Sequence, residues 1–165
     1  MKRLVPVLVV GMLVAVPAHG ANAYGKPIRE FLPAVTGTFS IFCGFPVDVE
    51  VPVNNEYITT FFDKDGNPIR SIISGHLVGS FTNVETDKSI VRNNSGPVLI
   101  DFNKDGSVTV TATGVEAVFL LPTDPGGPGL VIASGPTVIQ IDPNGVTTSL
   151  TIRHVMEDVC AELSG

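Results

Sequence analysis

The chain has no tryptophan and only two tyrosines, Tyr24 and Tyr57. Sugar-binding and aromatic-cage modules are built on such rings, so their scarcity argues against a lectin role. Basic residues are few as well, ten Lys and Arg against sixteen Asp and Glu, and they form no cluster. A chain of that charge is repelled by phosphate backbones and anionic lipid, which excludes nucleic acid and disfavours a membrane surface as partner. There is no GxSxG elbow, no HExxH pair and no glycine-rich phosphate loop between a strand and a helix. Cysteine is reduced to Cys43 and Cys160, with no CxxC spacing. Together with the distant His76 and His154 they do not make a zinc site, and no cofactor or metal is implied.

One hydrophobic run is present, at the start. Lys2 and Arg3 precede an apolar stretch over residues 4–16, Pro17 ends it, and Ala21-Asn22-Ala23 offers small residues for cleavage. This is the pattern of a secretory signal peptide over residues 1–23, too short to span a bilayer, which takes about 20 apolar residues. The expected product is a secreted, extracellular chain beginning at Tyr24. Losing Lys2 and Arg3 leaves eight basic against sixteen acidic residues, a formal charge of −8. In an oxidising compartment an even pair of cysteines favours a Cys43–Cys160 disulfide over two free thiols.

Beyond residue 23 the period is two. Val47, Val49, Val51 and Val53 alternate with Asp48 and Glu50; Val108, Val110 and Ala112 alternate with threonines; Val146, Leu150 and Ile152 repeat the theme. These are half-buried strands. Asp65-Gly66, Asp105-Gly106 and Asn144-Gly145 sit between such runs as tight hairpin turns, and residues 122–129 form a longer Pro/Gly loop. Residues 24–37, with Pro27 and Pro33, read as an extended lead-in to a single domain over 38–165. One long strand over 68–82 would carry Gly75 and Gly79 inward, as in a sheet bent toward closure. A terminal helix would bury Met156, Val159, Cys160 and Leu163. The expected fold is all-β, an antiparallel up-and-down barrel of about eight to ten strands with a short C-terminal helix; an antiparallel β-sandwich is the alternative.

Candidate chemistry is sparse. Residues 101–106 match the first half of a calcium loop, but its closing position is Ala112, and in the loop begun by Asp63 the invariant glycine is replaced by Pro68, so both read as turns. His76 falls opposite Gly75 and Gly79. His154, on the face of Val146, Leu150 and Ile152, would sit at a pocket rim. Glu116 interrupts the apolar run 115–121, facing either a cavity or solvent beside Val118. His154 and Glu116 are therefore the possible pocket residues. Residues 118–121 and 130–132 are apolar on both faces and need a cover: the helix, the lead-in, or a second subunit in a homodimer.

The signal peptide, residues 61–67, the hairpin over 97–111, Gly126-Gly127-Pro128-Gly129 and Asp158-Val159-Cys160-Ala161 together resemble small secreted actinobacterial proteins of uncharacterised function. That resemblance implies export and a β fold and brings no active site. In shape the chain is similar to lipocalin-like and allene-oxide-cyclase-like barrels, which implies no activity. The leading expectation is a non-catalytic secreted barrel that binds a small apolar ligand or acts as an interaction module. The alternatives are a small isomerase- or cyclase-type enzyme with a single base, and a structural surface protein assembling through its apolar strands.

Overall fold

The structure, a computed structural model, describes residues 25–165; the expected signal peptide over 1–23 lies outside the described residues. Alternating sequence becomes strand throughout, and every pairing is antiparallel. In the lead-in, β1 (Ile28–Phe31) and β2 (Gly37–Phe39) run along the first arm of a long meander. That arm is β3 (Val47–Asn54) followed by β4 (Tyr57–Phe62), and it returns as β5 (Pro68–Ser74) and β6 (Leu77–Asn83). Next come β7 (Ser89–Asn93) with β8 (Val98–Phe102), and β9 (Val108–Ala112) with β10 (Val115–Leu120). The meander ends in β11 (Gly129–Ile141), β12 (Thr147–Asp158) and the helix α1 (Val159–Ser164).

The expected all-β, antiparallel character holds, but the described strands do not close into a barrel. They form an eight-stranded sheet, β1-β4-β5-β8-β9-β11-β10 with β12 on β11, and a four-stranded sheet, β2-β3-β6-β7. The single strand expected over 68–82 is two strands in different sheets, with Gly75 between them at φ +154°. A Cβ on Gly75 would collide with the carbonyl oxygen of Asn55, so only glycine lets the two arms approach there. The neighbouring arms break at the same level. Residues 94–97 link β7 to β8, residues 113–114 link β9 to β10, and Gly96 and Gly114 are packed backbone to backbone.

Register survives the bend. Asn54 faces Leu77 on one side of it and Tyr57 faces Ser74 on the other, while Ala112 faces Thr137 and Val115 faces Ser134. The arms are thus continuous ribbons folded across one line, the device by which strands pass from one sheet to another at a corner.

Burial follows from that fold. Val47, Val49 and Phe81 of the smaller sheet pack against Ala117, Leu130 and Ile132 of the larger, with Val159 and Leu163 of α1 closing the cluster. A second cluster joins Leu32, Ile58, Ile73, Val98, Val110 and Ile139. On the other face of β10, Val118 and Leu120 pack with Ala133, Leu150 and Ile152. The doubly apolar strands are therefore covered on one face by the smaller sheet and α1, and on the other by Leu150 and Ile152 of β12.

The helix is shorter than its amphipathic pattern predicts. Asp158 caps it by accepting a hydrogen bond from the Ala161 amide at 3.0 Å, so Met156 and Glu157 remain in β12, and Met156 is exposed. Three contacts hold α1 down. Cys160 is bridged to Cys43 with Cα atoms 5.1 Å apart, Asn83 donates to the Leu163 carbonyl at 3.1 Å, and Arg92 pairs with Glu157 and Glu162 at 2.6 and 3.0 Å. The bridge also agrees with an extracellular location.

Two outcomes are expected in urea unfolding. Replacing Cys43 and Cys160 together by serine removes a link across 117 positions and lowers stability by about 4 kcal/mol; a loss below about 1 kcal/mol would mean that the polar contacts alone seat the helix. Gly75→Ala is expected to cost roughly 3 kcal/mol, and a neutral result would show that the bend does not need this close approach.

Candidate functional site

A cleft of about 110 Å³ opens where the arms bend, between the two sheets. Its walls are mainly apolar. Val49, Ile73, Leu77 and Val98 contribute from the strands, and Leu32 and Val35 from the link between β1 and β2. Four phenylalanines line it as a connected series: Phe39 to Phe42 at 5.9 Å between ring centroids, Phe42 to Phe119 at 5.2 Å, and Phe119 to Phe81 at 6.3 Å. The volume approaches that of the engineered cavity of about 150 Å³ that takes up benzene.

Three polar side chains interrupt this surface: Glu56, Asn94 and Glu116. All three lie at the bend. Glu56 sits between β3 and β4, its amide bonded to Asn54 Oδ1 at 3.0 Å and its carbonyl to the Leu32 amide at 3.0 Å. Asn94 follows β7, its amide donating to the Leu77 carbonyl at 2.9 Å. Its side chain occupies the space left by Gly79, where a Cβ would come within 2.7 Å of Asn94 Nδ2 and 3.1 Å of the Phe81 ring. Glu116 stands two residues past Gly114 on β10, opposite Ala133.

The electrostatics are unbalanced. Glu116 is 6% exposed and Asn94 8% exposed, and neither Glu116 Oε1 nor Asn94 Oδ1 has a hydrogen-bond partner. Burial pushes the Glu116 carboxyl above its ordinary range, with the nearby Thr137 hydroxyl acting the other way. Burial also raises the half-buried Glu56 carboxyl. No Lys, Arg or His lines the cleft. An unpaired acceptor in a low-dielectric site costs on the order of 1–3 kcal/mol, so these groups are retained against stability.

Of the two pocket residues expected from sequence, Glu116 lines this cleft and His154 does not. His154 is exposed on β12, where its Nδ1 lies 3.2 Å from Ser134 Oγ. Counting alternate residues back from Ile152 placed it inward, but the register shifts at Gly135-Pro136, where Ser134 faces His154 and Thr137 faces Ile152. Glu56 and Asn94 were missed, because both fall in links between strands. The signal that could have found them is local: each lies beside the glycine-containing arms of the bend.

Three of the aspartates, Asp63, Asp105 and Asp142, serve turns. Asp63 Oδ1 accepts from the Asp65 and Asn67 amides at 2.9 and 2.8 Å, and Asp142 Oδ1 from the Asn144 and Val146 amides at 2.9 Å each. Asp105 likewise accepts from Ser107. These bonds lower the three carboxyls below their ordinary range. Gly66, Gly106 and Gly145 supply the positive φ angles. Among the described residues no group of three His, Cys, Asp or Glu is placed to hold a metal ion. Compared with known proteins, the chain matches no family model, no curated sequence and no solved structure. Function is therefore read from the cleft itself.

Glu116 gives a signed pH dependence. Because its folded-state pKa is raised, the folded chain keeps a proton that the unfolded chain has released over the window just above the ordinary carboxylate range. Stability falls as pH rises through that window and then levels off. Glu116→Gln is expected to raise the thermal midpoint at pH 7.5 and leave it nearly unchanged at pH 4; an equal shift at both pH values would mean that the carboxyl is not strained by burial.

Proposed function

We propose that this chain is an extracellular binding protein that holds a small, largely apolar molecule in the cleft at the bend. The observation that carries the reading is the coincidence, in one cleft, of an apolar wall with two buried acceptors, Glu116 Oε1 and Asn94 Oδ1, that have no hydrogen-bond partner within 3.5 Å among the described residues. A packed core has no use for such groups, whereas ligand sites combine apolar surface with a few fixed polar atoms. Export rests on the sequence of residues 1–23 and agrees with the Cys43–Cys160 bridge. In shape the reading takes the meander as an incomplete up-and-down barrel, bent so that its interior is a cleft rather than a sealed core.

A second reading has its own support. A carboxyl raised by burial inside a cleft is what a single-base isomerase or cyclase uses to move a proton at neutral pH. No second catalytic group stands in the cleft beyond Glu56 and Asn94, so binding without turnover is the simpler account. Assembly through apolar strands has less behind it, since the doubly apolar segments are covered within the chain.

The test is uptake of the neutral fluorophore N-phenyl-1-naphthylamine by the secreted chain. Saturable enhancement is expected, reduced at least fivefold in affinity by Ala34→Phe, which fills the cleft from the link between β1 and β2. Absence of saturable uptake, or uptake indifferent to that variant, would remove the cleft as the binding site.

A further inference from the structure

Resting on the binding reading above, the unsatisfied atoms define what the ligand must bring. The two partnerless atoms of the cleft are both acceptors: Glu116 Oε1 and Asn94 Oδ1. A third acceptor-bearing group, the Glu56 carboxyl, lines the same space. No side-chain cation faces them from any wall of the cleft: β3, β5, β6, β8, β10 and the residues linking β1 to β2 contribute apolar side chains there, apart from the three polar groups named. The one buried donor beside them is the Thr137 hydroxyl, which acts on Glu116; Asn94 Oδ1 and the charge of the carboxyls are left without an answer from the residues lining the cleft.

We propose that the cleft recognises a small amine, an ammonium group on an apolar or aromatic body. A protonated primary amine carries up to three N–H donors and one positive charge, which answers an acceptor from Glu116, one from Asn94 and the negative charge of the carboxylates. The body of the ligand meets Phe39, Phe42, Phe81 and Phe119, whose ring faces also attract a cation that comes over them. An alcohol supplies one donor and no charge. A hydrocarbon of the same shape supplies neither and leaves both acceptors unpaired. A carboxylic acid adds a like charge to a cleft that already holds two carboxyls. Discrimination of this kind, in which buried polar groups are either satisfied or stranded, is larger than that given by apolar fit alone. The absence of any cation beside the raised Glu116 carboxyl fits the same account: an entering ammonium supplies the charge that the walls of the cleft lack.

The experiment is isothermal titration calorimetry of the secreted chain at pH 7.5 with three probes of one shape: benzylamine, benzyl alcohol and toluene. Benzylamine is expected to bind at least tenfold more tightly than toluene, with benzyl alcohol between them. In Glu116→Gln, an isosteric change checked for fold by circular dichroism, the amine preference should collapse while toluene affinity and N-phenyl-1-naphthylamine uptake persist. Equal binding of all three probes would overturn the amine inference and leave the apolar cleft standing. A preference for benzylamine that survives Glu116→Gln would overturn the role given to that carboxyl. If none of the probes binds and the fluorophore is not taken up either, the binding reading falls as well.

Discussion

Two backbone contacts at the bend, Gly75 against Asn55 and Gly96 against Gly114, set the geometry on which the remainder of the molecule relies. Antiparallel arms can fold across a common line only if their backbones come closer there than side chains allow, and glycine is the residue that permits it. Once the arms are folded, the apolar faces of the two sheets meet, and the space they cannot fill becomes the cleft. The same folding interrupts the ladder at 55–56, 94–97 and 113–114. Residues in and beside those interruptions are freed from strict alternation, and that is how Glu56, Asn94 and Glu116 come to line an interior. The bend thus creates the cavity and supplies its polar groups in one step.

The C-terminal helix completes the arrangement from outside. Val159 and Leu163 are fully buried in the cluster that joins the two sheets, and the helix packs on β6 of the smaller sheet and on β11 and β12 of the larger. Several contacts fix so short an element there. One is covalent, one is a hydrogen bond from Asn83, and one is an ion pair of Arg92 with two carboxylates. The ion pair is partly exposed, and such contacts contribute modestly beside a covalent link.

Much of the local structure is legible in the sequence, because it is set by neighbouring residues. The period of two, the three glycine turns at Gly66, Gly106 and Gly145, and the pairing of Cys43 with Cys160 follow from alternation, positive φ and compartment chemistry. What is not legible is anything that depends on counting across a break. His154 lies beyond the shift at Gly135-Pro136, and the parity that holds for Leu150 and Ile152 fails two residues later, as it does for the exposed Val146 before the shift at Gln140-Ile141. The strand expected over 68–82 contains the right glycines, yet whether a bend leads to closure or to two sheets depends on pairing partners far along the chain. Glu116 is visible as a polar residue in an apolar run. Glu56 and Asn94 look like ordinary loop residues until the arms fold and bring them to one place.

Outside the β11–β12 ladder the register runs unbroken across the bend, and this has a consequence for how the chain can vary in length. A residue inserted within an arm would shift its side chains to the opposite face in both sheets at once, because each arm is a single ribbon. Residues added at the tips, in the turns at 63–67, 103–107 and 142–146 or in the loop over 121–128, leave every pairing intact. Added length is therefore best accommodated at the two ends of the meander, away from the cleft, where it leaves the placement of Glu56, Asn94 and Glu116 untouched.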